Sequence, residues 1–284
     1  MSTLLDIILT HKKAELAQVR RKVPLQKLKD MAAGHKPRSL RKALQKFGLI
    51  AEIKAKSPSM GSMDPSNVRR AISLYQASVV VRGISVLTDA KFFGGSLEKL
   101  RDYRKKTTKP LLRKDFIFDE YQIWEAKAYG ADALLLMASV HRKDPARLRG
   151  LFDMATGLGL EVLIEFGAEA PPQKNFIPKG YPIFGINSRK FKESAKTYQK
   201  SSRQTTGRKD LTTDLQAHFE LVRVLSHLLP GKKTVIAESG ISRPEELKPL
   251  RQHGFSAALI GTSFLRKGNS IAKMLKGYET FLKK

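Results

Sequence analysis

No cysteine occurs anywhere in the 284 residues. That excludes disulfides, thiolate zinc sites, iron–sulfur clusters and a cysteine nucleophile, and it fits a reducing cytoplasm. No apolar run approaches the ~20 residues that a bilayer-spanning helix needs, so no membrane insertion is expected. The opening stretch MSTLLDIILTHKKAELAQ has no positive segment ahead of its short apolar run and no small-residue cleavage site, so it does not read as a secretory signal. The six histidines are scattered, with no His-x-x-x-His pair; no metal is expected, and the histidines are assigned to the surface. Acidic residues are also scarce. Asp and Glu number 26 against 53 Lys and Arg, a net charge of +27.

Such a charge calls for anionic partners, a class that spans phosphorylated metabolites, nucleic acid and membrane surfaces. The excess is uneven: residues 11–47 hold 12 basic and 2 acidic side chains, and residues 189–210 hold 8 and 2. Neither segment interleaves aromatics with its basic residues as single-strand binding surfaces do, and no helix-turn-helix, zinc-finger or RNP-type signature is present. Most of the charge therefore reads as solvated surface. The charge leaves phosphorylated metabolites and membrane surfaces open as partners and does not favour nucleic acid; a small phosphorylated substrate is what the resemblance set out below implies. The sequence does not fix the oligomeric state, and a monomer is compatible with it.

What the chain does contain is a regular alternation. Short β-rich apolar runs occur at LIAEIK (49–54), ISVL (84–87), PLLRK (110–114), DALLLM (132–137), LEVLIE (160–165), PIFGIN (182–187), TVIAES (234–239) and AALIG (257–261). Amphipathic stretches with helical spacing lie between most of them, for example SLEKLRDYRKK and DPARLRGLFDMATGLG, several opening on Asp, Ser or Pro and closing on Gly. Eight strands alternating with helices make a parallel sheet, and eight is the number that closes a (β/α)8 TIM barrel, which typically runs near 250 residues. One barrel domain over 1–284 is expected. Residues 1–48 read as extra N-terminal helices that cap the barrel or cover its mouth, with Leu4, Leu5, Ile8, Leu9, Leu16 and Val19 on one face and SLRKALQKFG as a second helix. The polar, basic stretch 190–213 reads as an insertion loop between the sixth strand and its helix.

In a barrel of this kind, side chains that point inward at the carboxyl ends of the strands face the active site. Alternation places Glu52 and Lys54 there from the first strand, Lys114 from the third, Glu165 from the fifth and Asn187 from the sixth. Glu238 with Ser239 follows from the seventh, and Gly261, Thr262 and Ser263 from the eighth. Each has a bland reading on its own: a solvated edge-strand charge, a loop salt bridge, a turn residue. Together at one mouth, charges that would be costly to bury unpaired can neutralise one another and hold an anionic substrate. Perturbed pKa values, as acid–base chemistry requires, are then expected.

The motifs EIKAKSPS, LRKDF and AESGIS, in that order, together with LLDIILTHKKAEL, GINSR and ALIGTSFLR, carry a specific resemblance. The chain resembles the indole-3-glycerol phosphate synthases of tryptophan biosynthesis nearly end to end. The resemblance implies ring closure of 1-(2-carboxyphenylamino)-1-deoxyribulose 5-phosphate to indole-3-glycerol phosphate, with loss of carbon dioxide and water and without a cofactor. It implies Lys114 as the general acid, with a pKa lowered by neighbouring cations. Lys54 would be the contact to the substrate carboxylate or phosphate, Glu165 the general base, and Glu52 with Asn187 the orienting pair. Arg189 and Glu238 would support them. By the same resemblance Ser57, Ser239, Gly240, Gly261, Thr262 and Ser263 bind phosphate, and Phe93, Phe116 and Leu135 wall the aromatic ring. The chain departs from the family in having EFGAEAPP after Glu165, where a His is common, in Ser188 within NSR, in ASVVVRGISVL before the second strand, and in the long basic insertion. Two rival readings stand beside this one: another phosphate-handling barrel such as a phosphoribosylanthranilate isomerase, and a barrel whose basic segments bind nucleic acid or an acidic partner.

Overall fold

The computed structural model describes residues 3–188 and 215–283. Arg189 and the expected insertion 190–213 lie outside the described residues. Eight parallel strands close into a barrel: β1 (Gly48–Ile53), β2 (Val81–Leu87), β3 (Leu111–Lys114), β4 (Ala133–Met137), β5 (Glu161–Gly167), β6 (Ile183–Asn187), β7 (Thr234–Glu238) and β8 (Ala257–Ile260). Each pairs with its sequence neighbours, and β1 pairs with β8 to complete the ring. These are the eight runs expected from sequence, with ends that coincide or differ by at most three residues.

Near-continuous burial of the strands follows from having core on both faces. Inside the ring, Ile50, Leu112, Leu135, Leu163, Ile183, Ile236 and Leu259 belong to one cluster. A larger cluster, including Leu49, Ala51, Ile84, Leu134, Ile164 and Ile260, lies between the sheet and the surrounding helices. The period-2 alternation assigns consecutive residues of one strand to these two clusters, which is why a charged residue at an inward position must sit above the apolar layers, at the mouth.

The N-terminal segment is split between the two ends of the barrel. Helix α1 (Leu4–Lys22) starts in a capping box, Thr3 Oγ1 accepting from the Asp6 amide while Asp6 accepts from the Thr3 amide. Its Leu4, Leu5 and Ile8 join the inner cluster beside Phe92, Phe116 and Met137, all at the carboxyl end of the strands. Helix α2 (Leu25–Ala32) runs along the outer helix Glu120–Ala128. The expected second long helix is only one turn, α3 (Leu40–Ala43). It is short because its surroundings are fixed from the barrel's amino end: Glu161 accepts from Ser39 Oγ and the Arg41 amide, and Asp132 accepts from the Arg38 amide. Leu40, fully buried, fills the space that a side chain at Gly83 would need. The mouth is thus covered by α1 and the opposite end is plugged by α3.

Candidate active site

Inward-pointing charges from four strands meet at the carboxyl end. Lys54, just past β1, donates to Glu52 Oε1 at 2.6 Å, and both side chains are buried. Lys114, the last residue of β3, is ringed by three carboxylates: Glu238 Oε2 at 2.5 Å, and Glu52 Oε2 and Glu165 Oε2 at 3.8 Å each. Asn187 hydrogen-bonds Glu165, and it faces Glu238 across the β6–β7 ladder. Three carboxylates against two ammonium groups leave one negative charge too many. The structure places that imbalance on Glu165: burial, and next the Glu238 carboxylate, push its pKa up to about 8, against the opposing pull of Lys114 and Asn187. With a proton on Glu165 the five groups sum to zero charge.

Lys114 corrects the expectation of a lowered pKa. Its near neighbours are carboxylates and not cations, because β1, β5 and β7 each end on an inward glutamate. Burial disfavours its charge, but Glu238, Glu165 and Glu52 outweigh that and hold the ammonium well above the ordinary lysine range. Two of the histidines likewise differ from the surface assignment. His141 and His218 are buried, their Nε2 atoms 3.0 Å from the Ile117 carbonyl and 2.9 Å from the Glu238 carbonyl. Polar neighbours on the backbone make such burial tolerable, and sequence spacing gives no sign of them.

The remaining candidates fall into two groups. Phe93 and Phe116 pair at a centroid distance of 6.1 Å and join Leu135 in the inner cluster, beside the Lys114 layer. The loops after β7 and β8 lie next to each other, linked by Ser263 Oγ donating to the Ile241 carbonyl at 3.4 Å. Ser239 (φ 72°) and Gly240 (φ 77°) are consecutive left-handed residues, and Ser239 is the one non-glycine residue with positive φ among the described residues. Gly261 precedes a single helical turn, Thr262–Leu265, and a side chain there would collide with the Glu52 carboxylate. Ser57 is buried in a two-stranded hairpin, Lys56–Ser57 with Gly61–Ser62, its Oγ accepting from the Met60 amide at 3.1 Å.

A second charge cluster, absent from the sequence reading, sits directly behind Lys114. Lys12 of α1 is buried and reaches Asp89 at 3.0 Å, Glu15 at 3.1 Å and Asp115 at 3.2 Å. Asp115 also meets Arg113 at 3.0 Å and accepts from Thr88 and the Phe116 amide, while Asp89 accepts from the amides of Phe92 and Phe93. Burial opposes ionisation of Asp115, yet Lys12 and Arg113 hold its carboxyl well below the usual carboxylate range. Ile8, Lys12 and Leu16 fall four apart on the buried face of α1, but that spacing alone does not distinguish Lys12 from the other basic residues of the segment. Among the described residues, no cluster of three or more His, Asp or Glu is arranged to hold a metal ion, and no helix is long and apolar enough to cross a membrane.

An eight-stranded parallel barrel with lysines and glutamates paired at the carboxyl ends of its strands has the layout of a barrel enzyme. The model of the family described as indole-3-glycerol phosphate synthase matches residues 5–206 and 207–276, and the chain belongs to that family, the carboxy-lyases of tryptophan biosynthesis. Relatives bearing that name include those of Thermoanaerobacter sp. (strain X514), 34% identical over 273 residues and 95% of each chain, and Bordetella pertussis, 34% identical over 277 residues, covering 94% of this chain and 95% of the relative. The Aquifex aeolicus protein is 38% identical over 238 residues, 82% of each chain. Among solved structures, a tryptophan synthase alpha-subunit from Pyrococcus furiosus (TM-score 0.53, 14% identity, 83% of this chain and 97% of that one) shares the barrel fold. So does a triosephosphate isomerase from Bartonella henselae (TM-score 0.52, 14% identity, 84% and 100%).

Proposed function

We propose that Lys114 is the proton donor, and Glu165 the proton acceptor, in closure of the indole ring of 1-(2-carboxyphenylamino)-1-deoxyribulose 5-phosphate to indole-3-glycerol phosphate. The observation that carries this reading is the single ammonium of Lys114 held between carboxylates from β1, β5 and β7. In the first step the ring carbon bearing the carboxylate attacks the ketone carbon, and negative charge grows on the ketone oxygen. A raised lysine pKa does not prevent donation to that oxygen, because a developing alkoxide is far more basic still. The three glutamates keep the ammonium loaded and aimed. Lys54, fixed by Glu52, supports the substrate carboxylate before it leaves as carbon dioxide. Loss of the resulting hydroxyl as water then needs a base to take a proton and an acid to assist the leaving oxygen; Glu165 and the lysines fit those parts.

Phe93, Phe116 and Leu135 suit the aromatic ring. The left-handed pair Ser239–Gly240 and the turn Gly261–Thr262–Ser263 suit the phosphate, since backbone amides in such turns form anion-binding concavities. A reducing cytoplasm is the proposed setting, and the cysteine-free sequence fits it. The test is direct. Incubation with the carboxyphenylamino substrate is expected to yield indole fluorescence and carbon dioxide in equal amounts; fluorescence without carbon dioxide release would contradict the reaction.

A further inference from the structure

We propose that His218 is a positioning residue for the phosphate end of the site, acting through the peptide that joins Glu238 to Ser239. This rests on the site reading above.

His218 lies in the first turn of the helix Leu215–Leu228, is fully buried, and packs edge-on against Phe255 with centroids 6.1 Å apart. Its Nε2 is 2.9 Å from the Glu238 carbonyl oxygen. A carbonyl can only accept, so Nε2 carries the proton and the tautomer is fixed. The same carbonyl accepts from the Ser188 amide at 3.3 Å. Two donors, one from the end of β6 and one from the helix layer, therefore fix the orientation of one peptide plane.

That plane matters at both of its ends. On one side is Glu238, whose carboxylate pairs with Lys114. On the other is Ser239, whose left-handed backbone is disfavoured for any residue but glycine and persists only where the surroundings hold it. Because the peptide is planar and trans, its N–H points opposite to its C=O. With the Glu238 carbonyl turned toward β6 and His218, the Ser239 amide is turned away from β6, and β8 is the neighbour on that side. The loop after β8 contains the Gly261–Thr262–Ser263 turn. His218 thereby aims an amide at the region between the β7 and β8 loops, and holds the backbone from which Glu238 reaches Lys114.

The test compares His218→Phe, which keeps an aromatic ring and loses the donor, with His218→Gln, which restores an N–H at a similar reach. With inorganic phosphate as competitive inhibitor, His218→Phe is expected to raise the inhibition constant about tenfold and to lower kcat by a similar factor, the scale of one lost hydrogen bond. His218→Gln should recover both to within about threefold of the parent. A purely structural role would lower the melting temperature and leave both constants of the folded enzyme unchanged; values within about twofold of the parent for folded His218→Phe would overturn the proposal. If His218→Phe does not fold, nitrogen-15 NMR of the parent decides. A protonated Nε2 whose resonance moves on saturation with inorganic phosphate supports the assignment, and a protonated Nδ1 with a bare Nε2, or an unmoved signal, overturns it. Lys114→Met separates this proposal from the reading beneath it: its retained turnover would overturn the site assignment itself, whereas unchanged His218→Phe beside an inactive Lys114→Met overturns the role of His218 alone.

Discussion

Burial and the Glu238 carboxylate lift Glu165 to about 8, while Lys114 and Asn187 pull it the other way. A carboxylate so perturbed is a stronger base than an ordinary one and titrates near the working pH, the condition under which proton transfer is most effective. The sign follows from the role. A base must be unprotonated to act, so kcat/KM is expected to rise with pH through an apparent value near the Glu165 pKa of about 8. Glu165→Gln should lose roughly a hundredfold in turnover and flatten that limb of the profile. Steady-state rates across that range check it; a variant that keeps the same rise would remove Glu165 from the base role. Gly185 and Gly261 make room for these acids. Side chains there would strike the Glu238 and Glu52 carboxylates, so the acids occupy space that only glycine leaves open.

The elements were largely legible from the sequence. All eight strands show as short apolar runs because parallel barrel strands are buried on both faces, and the inward charges at their ends stand out against that background. The buried face of α1 was legible from its leucines. Its polar component was not: Lys12 reads as one more basic residue in a basic segment until the fold brings Asp89 and Asp115 to it from the ends of β2 and β3. α3 reads as longer than it is because its helical spacing continues past Ala43, while the contacts to Asp132 and Glu161 that pin its start are long-range. The loop glycines and Ser239 could be assigned to a turn, yet the link from His218 to the Glu238 carbonyl joins elements without any shared sequence pattern.

At this scale the ion cluster around Lys12 joins α1 to the loops carrying Phe93 and Phe116. Removing one partner of a buried charge cluster leaves the others uncompensated, so Lys12→Met is expected to cost about 3–5 kcal/mol in urea unfolding at neutral pH. Asp115 contributes stability that is fully present above its ordinary value of 3.8 and is lost as the pH falls below it, because its folded-state pKa is depressed. Without Lys12 that depression shrinks, and the difference between parent and variant should narrow in acid. A loss under about 1 kcal/mol at neutral pH would show that the cluster does not hold α1 in place.

Across the whole molecule, the net charge of +27 contrasts with a mouth whose five charged groups sum to zero once Glu165 is protonated. The surface therefore supplies long-range attraction for an anionic substrate, and the mouth supplies discrimination and proton transfer. Long-range attraction is screened by salt while the buried contacts at 2.5–3.8 Å are screened much less, so the two contributions separate experimentally. Turnover is expected to depend on the Lys114 ammonium. That dependence is tested most directly by following indole-3-glycerol phosphate fluorescence for the parent and Lys114→Met at moderate and at high salt. High salt is expected to lower kcat/KM of the parent and leave kcat nearly unchanged, and Lys114→Met is expected to lose at least about a thousandfold in kcat at both salts with substrate affinity comparatively intact. A Lys114→Met enzyme within about tenfold of the parent in kcat would contradict it.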